Sequence, residues 1–246
     1  MINVPVAVIA VKDILVLAGI CQKEIPPAAV FFRLLRRRRS LRFYQEKPVE
    51  KTKLKMLVEA GRYAPSGGNR QACEYVVVSG KEALDKTRTL AIQNLQKQGK
   101  AMQEAIDQHK RLKKPLPEDL ATRQAYPAVW ERIGQKWKEG VDQLLHNAPA
   151  LVVIHIGKNL ATTPETDAAI ASTQMVLLAE TLGLGTCYIA FLIWAVEDSL
   201  ELKKVMGIPA DHSALVAFTA GYPDVEFLRF VARNPARVKW VGEFEE

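Results

Sequence analysis

The sequence has 246 residues, of which 48% are hydrophobic and 25% are charged, so it is long enough for one large domain or two small ones with a sizeable core. Its net charge of +7 favours anionic partners such as phosphate-bearing cofactors. Part of the positive charge is clustered, which indicates a local anion site and argues against a diffuse DNA-binding face. The clustered residues are Arg33, Arg36, Arg37, Arg38, Arg39 and Arg42.

The cysteines and histidines argue against several kinds of site. Cys21, Cys73 and Cys187 are odd in number and far apart, which argues against a disulfide framework and against the spacing of a zinc or iron–sulfur site. The four histidines include no pair at the four-residue spacing of metal ligands on a helix. We therefore expect no metal site and a reducing, cytoplasmic environment.

The first 20 residues are apolar, as in a signal peptide or a membrane anchor. Lys12 and Asp13 interrupt this run at its middle, and no basic segment precedes it. We therefore interpret residues 1–27 as an N-terminal arm of unknown role, either an extra helix or strand on the body or a poorly ordered segment. Export or anchoring is the less favoured alternative, and we expect no membrane association.

After Pro26-Pro27, which breaks regular structure, the chain alternates helices with short strands. Helices are predicted over residues 28–39, 50–64, 81–110, 166–182 and 198–206, with further helix inside 126–145. Buried strands are predicted over 74–79, 150–156, 187–191 and 213–221. Strands separated by helices predict an α/β or α+β sandwich with one central sheet.

The predicted helix over 166–182 is apolar nearly all round. Such a helix has to be buried on most sides. In a chain of this size, a subunit interface buries it economically, and the alternative is a central helix within one monomer.

Arg38, Ser40 and Arg42 alternate along a segment that follows the first predicted helix. In an extended segment, alternate residues point the same way, so these three side chains would converge on one ligand. Guanidinium groups bind phosphate bidentately, and a hydroxyl adds a further donor. The alternative is an arginine-rich face in contact with solvent.

A glycine-containing turn spans residues 65–71, between a helix and a strand. Gly67 and Gly68 let the backbone approach a ligand closely. Ser66, Asn69 and Gln71 supply neutral polar groups that can read the edge of a heterocycle. The alternative is a helix end and turn without a ligand.

Two further features lie late in the chain. Gly183-Leu184-Gly185 follows a helix, so it does not match the dinucleotide fingerprint, but it can place backbone N–H groups against a cofactor. A basic cluster in the tail would close over the same phosphate or simply be a solvated terminus. It consists of Arg229, Arg233, Arg237 and Lys239.

The sequence has no convincing pair of nucleophile and base. Ser66 lies in no Gly-x-Ser-x-Gly elbow. This absence suggests that a cofactor performs the chemistry.

These motifs, in this order, resemble the FMN-dependent nitroreductases, over about residues 30–242. The motifs are Arg38-Arg39-Ser40-Leu41-Arg42, residues 64–71, residues 183–187 and Arg233-Asn234-Pro235. Residues 24–48 look most like the nitroreductase domain of ferredoxin–nitroreductase fusion proteins, without the ferredoxin part.

The resemblance implies an α+β fold, with a three-layer sandwich of a mostly antiparallel central sheet flanked by helices. It implies that residues 28–246 form one FMN-binding domain and an intertwined homodimer, with FMN at the subunit interface. The phosphate, ribityl chain and pyrimidine edge of FMN would contact Arg38, Arg39, Ser40, Arg42 and Arg233. The other subunit would contribute Pro65, Ser66, Gly67, Asn69 and Gln71. Leu184 and Gly185 would offer backbone contacts to the ring.

The activity implied by the resemblance is ping-pong electron transfer. NADH or NADPH would reduce the flavin at N5, and a nitroaromatic, a quinone or a similar small acceptor would then reoxidise it, with no protein residue as the catalytic group. The family usually has Pro-Trp where this chain has Ala72-Cys73, and Trp where it has Tyr188, which affects substrate preference. Tyr126, Trp130 and Trp137 are candidate walls of the site, with plain packing as the alternative.

Two other functions remain open at this point. One is a specialised flavoenzyme of the same fold, such as a dehalogenase or a flavin-cleaving enzyme. The other is a flavin-binding or nucleic-acid-binding protein without turnover. The arginine run contains no interleaved aromatic residues that could stack on bases, which argues against nucleic-acid binding. We therefore expect a small-molecule acceptor and no nucleic acid.

Overall fold

A four-stranded antiparallel sheet forms the centre of the fold in the computed structural model, which describes residues 25–243. Its strands are β1 Glu74–Ser79, β2 Ala150–Gly157, β3 Gly185–Tyr188 and β4 His212–Gly221. They lie side by side in the order β1-β2-β4-β3. Every residue of β2 is buried, because this strand is central and helices cover both faces of the sheet.

Eight α-helices surround the sheet in the described part of the chain. They are α1 Ala28–Arg37, α2 Lys51–Arg62, α3 Lys81–Arg111, α4 Glu118–Arg123, α5 Tyr126–Lys138, α6 Pro164–Thr181, α7 Ala190–Glu197 and α8 Leu200–Met206. None of the described helices is long and apolar enough to cross a membrane.

Two hydrophobic cores lie on opposite faces of the sheet. On one face, Leu57 of α2 and Met175 of α6 pack in the same core as Val152 of β2. On the other, side chains of α3, α5, α7 and α8 pack with Leu151 and Val153. Successive residues of a strand point to opposite faces, so Leu151 and Val152 serve the two cores. The predicted α+β class and three-layer sandwich are confirmed.

One predicted strand was partly wrong. Residues 187–191 were expected to form a strand, but β3 ends at Tyr188 and α7 begins at Ala190. The sequence around 189–196 is a short apolar run, and periodicity cannot separate a buried strand from a buried helix in such a run.

The predicted helix inside 126–145 is shorter than that range, because α5 ends at Lys138. Beyond it, the carboxylate of Asp142 accepts hydrogen bonds from the backbone N–H groups of Leu144, Leu145 and Asn147, at 2.7–2.9 Å. These bonds give the loop an alternative to helical hydrogen bonding.

Helix α6 is buried along most of its length, as its composition predicted. One stripe is less covered in the single chain, since Ala169 and Thr173 are exposed and Ile170 is half-buried. The stripe consists of small or apolar side chains, which water solvates poorly.

Candidate functional site

The segment that carries Arg38, Ser40 and Arg42 is extended and lies beside β3. Ser40 pairs with Thr186 in a parallel bridge, and the Leu41 N–H donates to the Thr186 carbonyl at 2.8 Å. A Cβ at position 185 would overlap the Leu41 side chain. Gly185 therefore lets this segment approach the edge of the sheet.

Ser40 and Arg42 flank Leu41, which is buried. Because side chains alternate along an extended segment, Ser40 and Arg42 point away from Leu41, and both lie near Cys187. Burial raises the pKa of the Cys187 thiol, while the charge of Arg42 and a hydrogen bond with Ser40 act in the opposite direction. Ser40 and Arg42 thus lie on the same side of the segment, and the convergence of Arg38, Ser40 and Arg42 on one ligand stays a prediction.

Arg38 lies at the carboxyl-terminal end of α6. Burial raises the pKa of the Glu180 carboxyl, and the charges of Arg37 and Arg38 oppose that rise. The Arg37 Nε atom lies 3.6 Å from Glu180 Oε2. One carboxylate thus faces two arginines of the run, which leaves a net positive charge beside Gly183–Gly185.

A cavity of about 650 Å³ opens next to Arg42, within the usual size range of small-molecule sites. Its lining comes from α5, from the loop after α5 and from the junction of β3 and α7. The lining residues are Arg42, Phe43, Val129, Arg132, Ile133, Gln143, Leu144, His146, Cys187, Tyr188, Ile189, Ala190 and Phe191. Two arginines among apolar side chains would attract a planar or anionic ligand.

His146 lies in this cavity wall with a lowered pKa. Burial is the main cause, the charge of Arg42 adds to it, and Asp142 opposes it. The imidazole is therefore neutral at neutral pH. The sequence reasoning missed Arg132, Gln143 and His146. The sequence feature that could have indicated these residues is a polar loop between an amphipathic helix and a buried strand.

The turn over residues 65–71 packs against the other end of α6. The Gly67 N–H donates to Asp167 Oδ1 at 3.0 Å, and a Cβ on Gly67 would lie 2.9 Å from Thr162 Oγ1. The Ser66 hydroxyl accepts a hydrogen bond from the Gln71 N–H at 2.9 Å. Asn69 and Gln71 both have φ of +53° and are exposed, and Gln71 Nε2 donates to Asn69 Oδ1 at 3.4 Å.

Within one chain, this turn and the 38–42 segment are not brought together. The turn contacts the first residues of α6, whereas Ser40 pairs just beyond its last residue. Helix α6 has 18 residues and is therefore about 27 Å long at 1.5 Å per residue.

The remaining predicted site residues face the C-terminal tail or solvent. The Arg39 guanidinium donates to the Arg229 carbonyl at 3.4 Å and lies 4.3 Å from the centre of the Phe227 ring. Arg233 is exposed and donates locally to the Ala232 carbonyl at 3.5 Å. Their roles at a cofactor stay predictions. Pro65 is the first residue of the turn at one end of α6, and Leu184, which is buried, follows the other end of the helix.

The aromatic residues proposed as walls mainly pack in the core. Trp130 is fully buried, and its ring centre lies 5.8 Å from that of Phe191 and 5.7 Å from that of Trp194. Tyr126 packs against the same two rings. Packing is the correct interpretation for Trp130, and the cavity wall uses Val129 and Ile133 of the same helix instead.

The fold and this site together define an α+β sandwich protein with a cationic pocket beside an edge strand. A family model described as "Nitroreductase family" matches residues 35–222. The chain therefore belongs to the nitroreductase family.

Individual relatives are distant. The chain is 23% identical over 214 residues to "Putative NADH dehydrogenase/NAD(P)H nitroreductase" of Archaeoglobus fulgidus. The aligned region covers 82% of this chain and 94% of that protein. It is 24% identical over 202 residues to iodotyrosine deiodinase 1 of Rattus norvegicus, which covers 78% of this chain and 62% of that protein.

Solved structures share the fold. A nitroreductase from Bacteroides fragilis with bound FMN superposes with a TM-score of 0.62 at 20% identity, over 86% of this chain and 98% of that one. A nitroreductase from Desulfitobacterium hafniense with bound FMN gives 0.61 at 20% identity, over 85% and 98%.

Proposed function

We propose that this protein is an FMN-dependent oxidoreductase that moves electrons from NADH or NADPH to a small organic acceptor. The observation that carries the proposal is the pairing of the 38–42 segment with β3. That pairing gathers Arg38, Ser40 and Arg42 at one edge of the sheet, beside Gly185 and a cavity of about 650 Å³. We assign the binding domain to residues 28–246.

The donor groups at this edge suit FMN. Arg38 and Ser40 offer charge-assisted and hydroxyl hydrogen bonds to a phosphate, and Arg42 places a fixed positive charge at the cavity. The exposed amides of Asn69 and Gln71 suit the polar edge of a flavin ring. FMN, when bound, would supply hydride transfer, which the protein side chains at the site are not equipped to perform.

We propose a homodimer that brings the two ends of α6 together from different chains. The uncovered stripe of α6, with Ala169, Ile170 and Thr173, is suited to contact a second copy. Helix α1 has no buried residue, and its Phe31 and Phe32 are exposed. Exposed apolar surface of this kind marks interaction sites, so α1 belongs to the same proposed interface.

In this proposal the protein binds and orients the flavin and its substrates, and its own nucleophilic groups at the site stay unreactive. Burial raises the pKa of Cys187, so the thiol beside the site stays protonated and does not compete as a nucleophile. Neutral His146 and half-buried residues of α5 would shape the space for the donor and the acceptor. If the donor and the acceptor bind in turn to the same open face of the flavin, the kinetics would be ping-pong.

The visible absorption spectrum of purified protein tests the proposal. We expect a flavin spectrum, with FMN released on denaturation, and bleaching when NADH or NADPH is added without oxygen. Nitrofurazone or menadione should then restore the colour. A protein that stays colourless after addition of FMN would refute flavin binding, and a flavin that neither nicotinamide reduces would refute the assigned donor.

A second candidate reaction is reductive dehalogenation. The similarity to iodotyrosine deiodinase 1 favours it, and Tyr188 stands in the cavity wall where the family usually has Trp. Iodide release from 3-iodotyrosine by the reduced protein, compared with its rate on nitrofurazone, distinguishes the two acceptor classes.

A further inference from the structure

Three neighbouring strands bring Glu74, His155 and His212 together at one end of the sheet. Glu74 of β1 lies directly opposite His155 of β2, and Gly157, two residues further along β2, lies opposite His212 of β4. Residues two apart on a strand share a face, so the three side chains project from the same side of the sheet. Along the chain they are separated by at least 57 residues, which is why helical spacing did not reveal them.

Their possible ligand atoms lie within 4.8 Å of one another. The Nδ1 atoms of His155 and His212 are 2.9 Å apart, and His212 Nδ1 is 3.9 Å from Glu74 Oε1. Around a tetrahedral ion with bonds of about 2.0–2.2 Å, ligand atoms lie roughly 3.3–3.5 Å apart. The two observed distances bracket this value, so small side-chain rotations would fit an ion between the three groups.

The burial of the three groups suits a bound ion at the rim of the sheet. His155 and His212 are 3% and 9% exposed, whereas the Glu74 side chain is 54% exposed. The exposed carboxylate leaves a path for an ion to enter.

The surroundings hold His212 in place. A Cβ on Gly157 would lie 2.9 Å from His212 Nε2, so glycine makes room for the ring. Lys203 Nζ donates to the His212 carbonyl at 2.7 Å, and its charge is matched by Glu197 Oε1 at 3.1 Å. Glu197 Oε1 also accepts from the Ala214 N–H at 2.7 Å. The start of β4 is thereby anchored without using the His212 ring.

We propose that Glu74, His155 and His212 bind one divalent transition-metal ion of the Zn²⁺ type, which ties β1, β2 and β4 together. Two imidazoles and one carboxylate form a ligand set that Zn²⁺ accepts, with a fourth position open to water. Without the ion, one imidazole donates to the other, and this hydrogen bond is the empty state of the same site. Gly221, at the other end of β4, pairs with Gly185, so the ion site lies about 30 Å along the sheet from Gly185, whereas Glu74 follows Gln71 of the 65–71 turn by three residues.

Zinc binding by tag-free, EDTA-treated protein tests this proposal, with a chromophoric chelator as the competitor. We expect one Zn²⁺ per chain, no competition from Mg²⁺ and a higher midpoint of thermal unfolding with zinc. Glu74→Gln and His212→Gln should each weaken zinc binding by about ten-fold or more and abolish the thermal shift. His109→Gln, which removes a half-buried histidine of α3, is the matched control.

Because Glu74 is exposed, its glutamine variant should fold, retain its flavin content and unfold at the wild-type temperature without zinc. The proposal is overturned if wild type binds zinc no more tightly than Glu74→Gln does. It is also overturned if His109→Gln removes the binding. Neither result would affect the flavin assignment, which rests on other residues.

Discussion

Gly67 and Gly185 lie at opposite ends of helix α6. The Gly67 N–H donates to Asp167 in the first turn, and Gly185 begins β3 four residues after the helix ends at Thr181. The 18 residues of α6 separate them by about 27 Å. Two motifs expected at one cofactor are therefore far apart in a single chain, and the proposed homodimer would bring them together from different chains.

Mixed dimers test whether two chains build each site. Arg38→Ala and Asn69→Ala homodimers should each bind FMN less tightly, by about ten-fold or more for Arg38, because a hydrogen bond to a charged group contributes roughly 1.5–3 kcal/mol. A heterodimer of the two variants should contain one intact site and one doubly altered site. We expect half the wild-type flavin content, measured after purification on two different tags.

The exposed Arg111→Ala provides the control for loss of an arginine, and it should bind FMN as wild type does. Heterodimers with no tight site would show that both motifs serve the same pocket from one chain. That result would contradict the proposed arrangement.

Gly185→Ala should displace the 38–42 segment from β3. The new methyl group would overlap Leu41, and overpacking a well-filled site costs about 1–3 kcal/mol. We expect lower flavin affinity and a lower unfolding midpoint by differential scanning fluorimetry. Leu41→Ala in the same chain should restore part of both. Normal flavin affinity in the single variant would rule out a positioning role for this contact.

Arg88→Met should strongly destabilise the protein. Arg88 Nε lies 2.9 Å from Asp142 Oδ2, and the two side chains are 6% and 0% exposed. Removing the arginine leaves a buried carboxylate without its charge partner, at a cost of about 3–5 kcal/mol. Urea unfolding measures the loss. Lys81→Met, which removes the exposed ion pair with Asp85, should change stability little, and an equal effect of both would contradict this explanation.

His146 should make stability depend on pH below neutrality. Its pKa in the folded protein is lower than the ordinary 6.5, so below about pH 6.5 the unfolded chain binds more protons than the folded one. The contribution of neutral His146 to the free energy of unfolding is fully present above the pKa of the unfolded chain. It is lost as pH falls, by at most about 1.4 kcal/mol per pH unit. The stability difference between wild type and His146→Gln should therefore shrink from pH 8 to pH 5. A constant difference across that range would show that His146 does not titrate abnormally.

Periodicity predicted much of the fold. The helical spacing of apolar residues in 50–64 and the buried runs at 74–79 and 150–156 correspond to α2, β1 and β2. Amphipathic helices and central strands have distinctive patterns. Helix α7 was missed because residues 190–196 are all apolar, so the sequence shows no amphipathic period there. The loop that Asp142 stabilises was missed because side-chain capping of a turn depends on local geometry.

The sequence by itself determined most of the local elements and predicted the type of ligand, because periodicity and the clustering of arginines with a serine are properties of adjacent residues. Only the tertiary structure decided which motifs meet. It aligned Ser40 with Thr186 across 146 positions of chain, and it separated Gly67 from Gly185 by a rigid helix. It also joined Glu74, His155 and His212 through strand register. Such juxtapositions arise from how strands pair and helices pack, and no spacing along the chain encodes them directly.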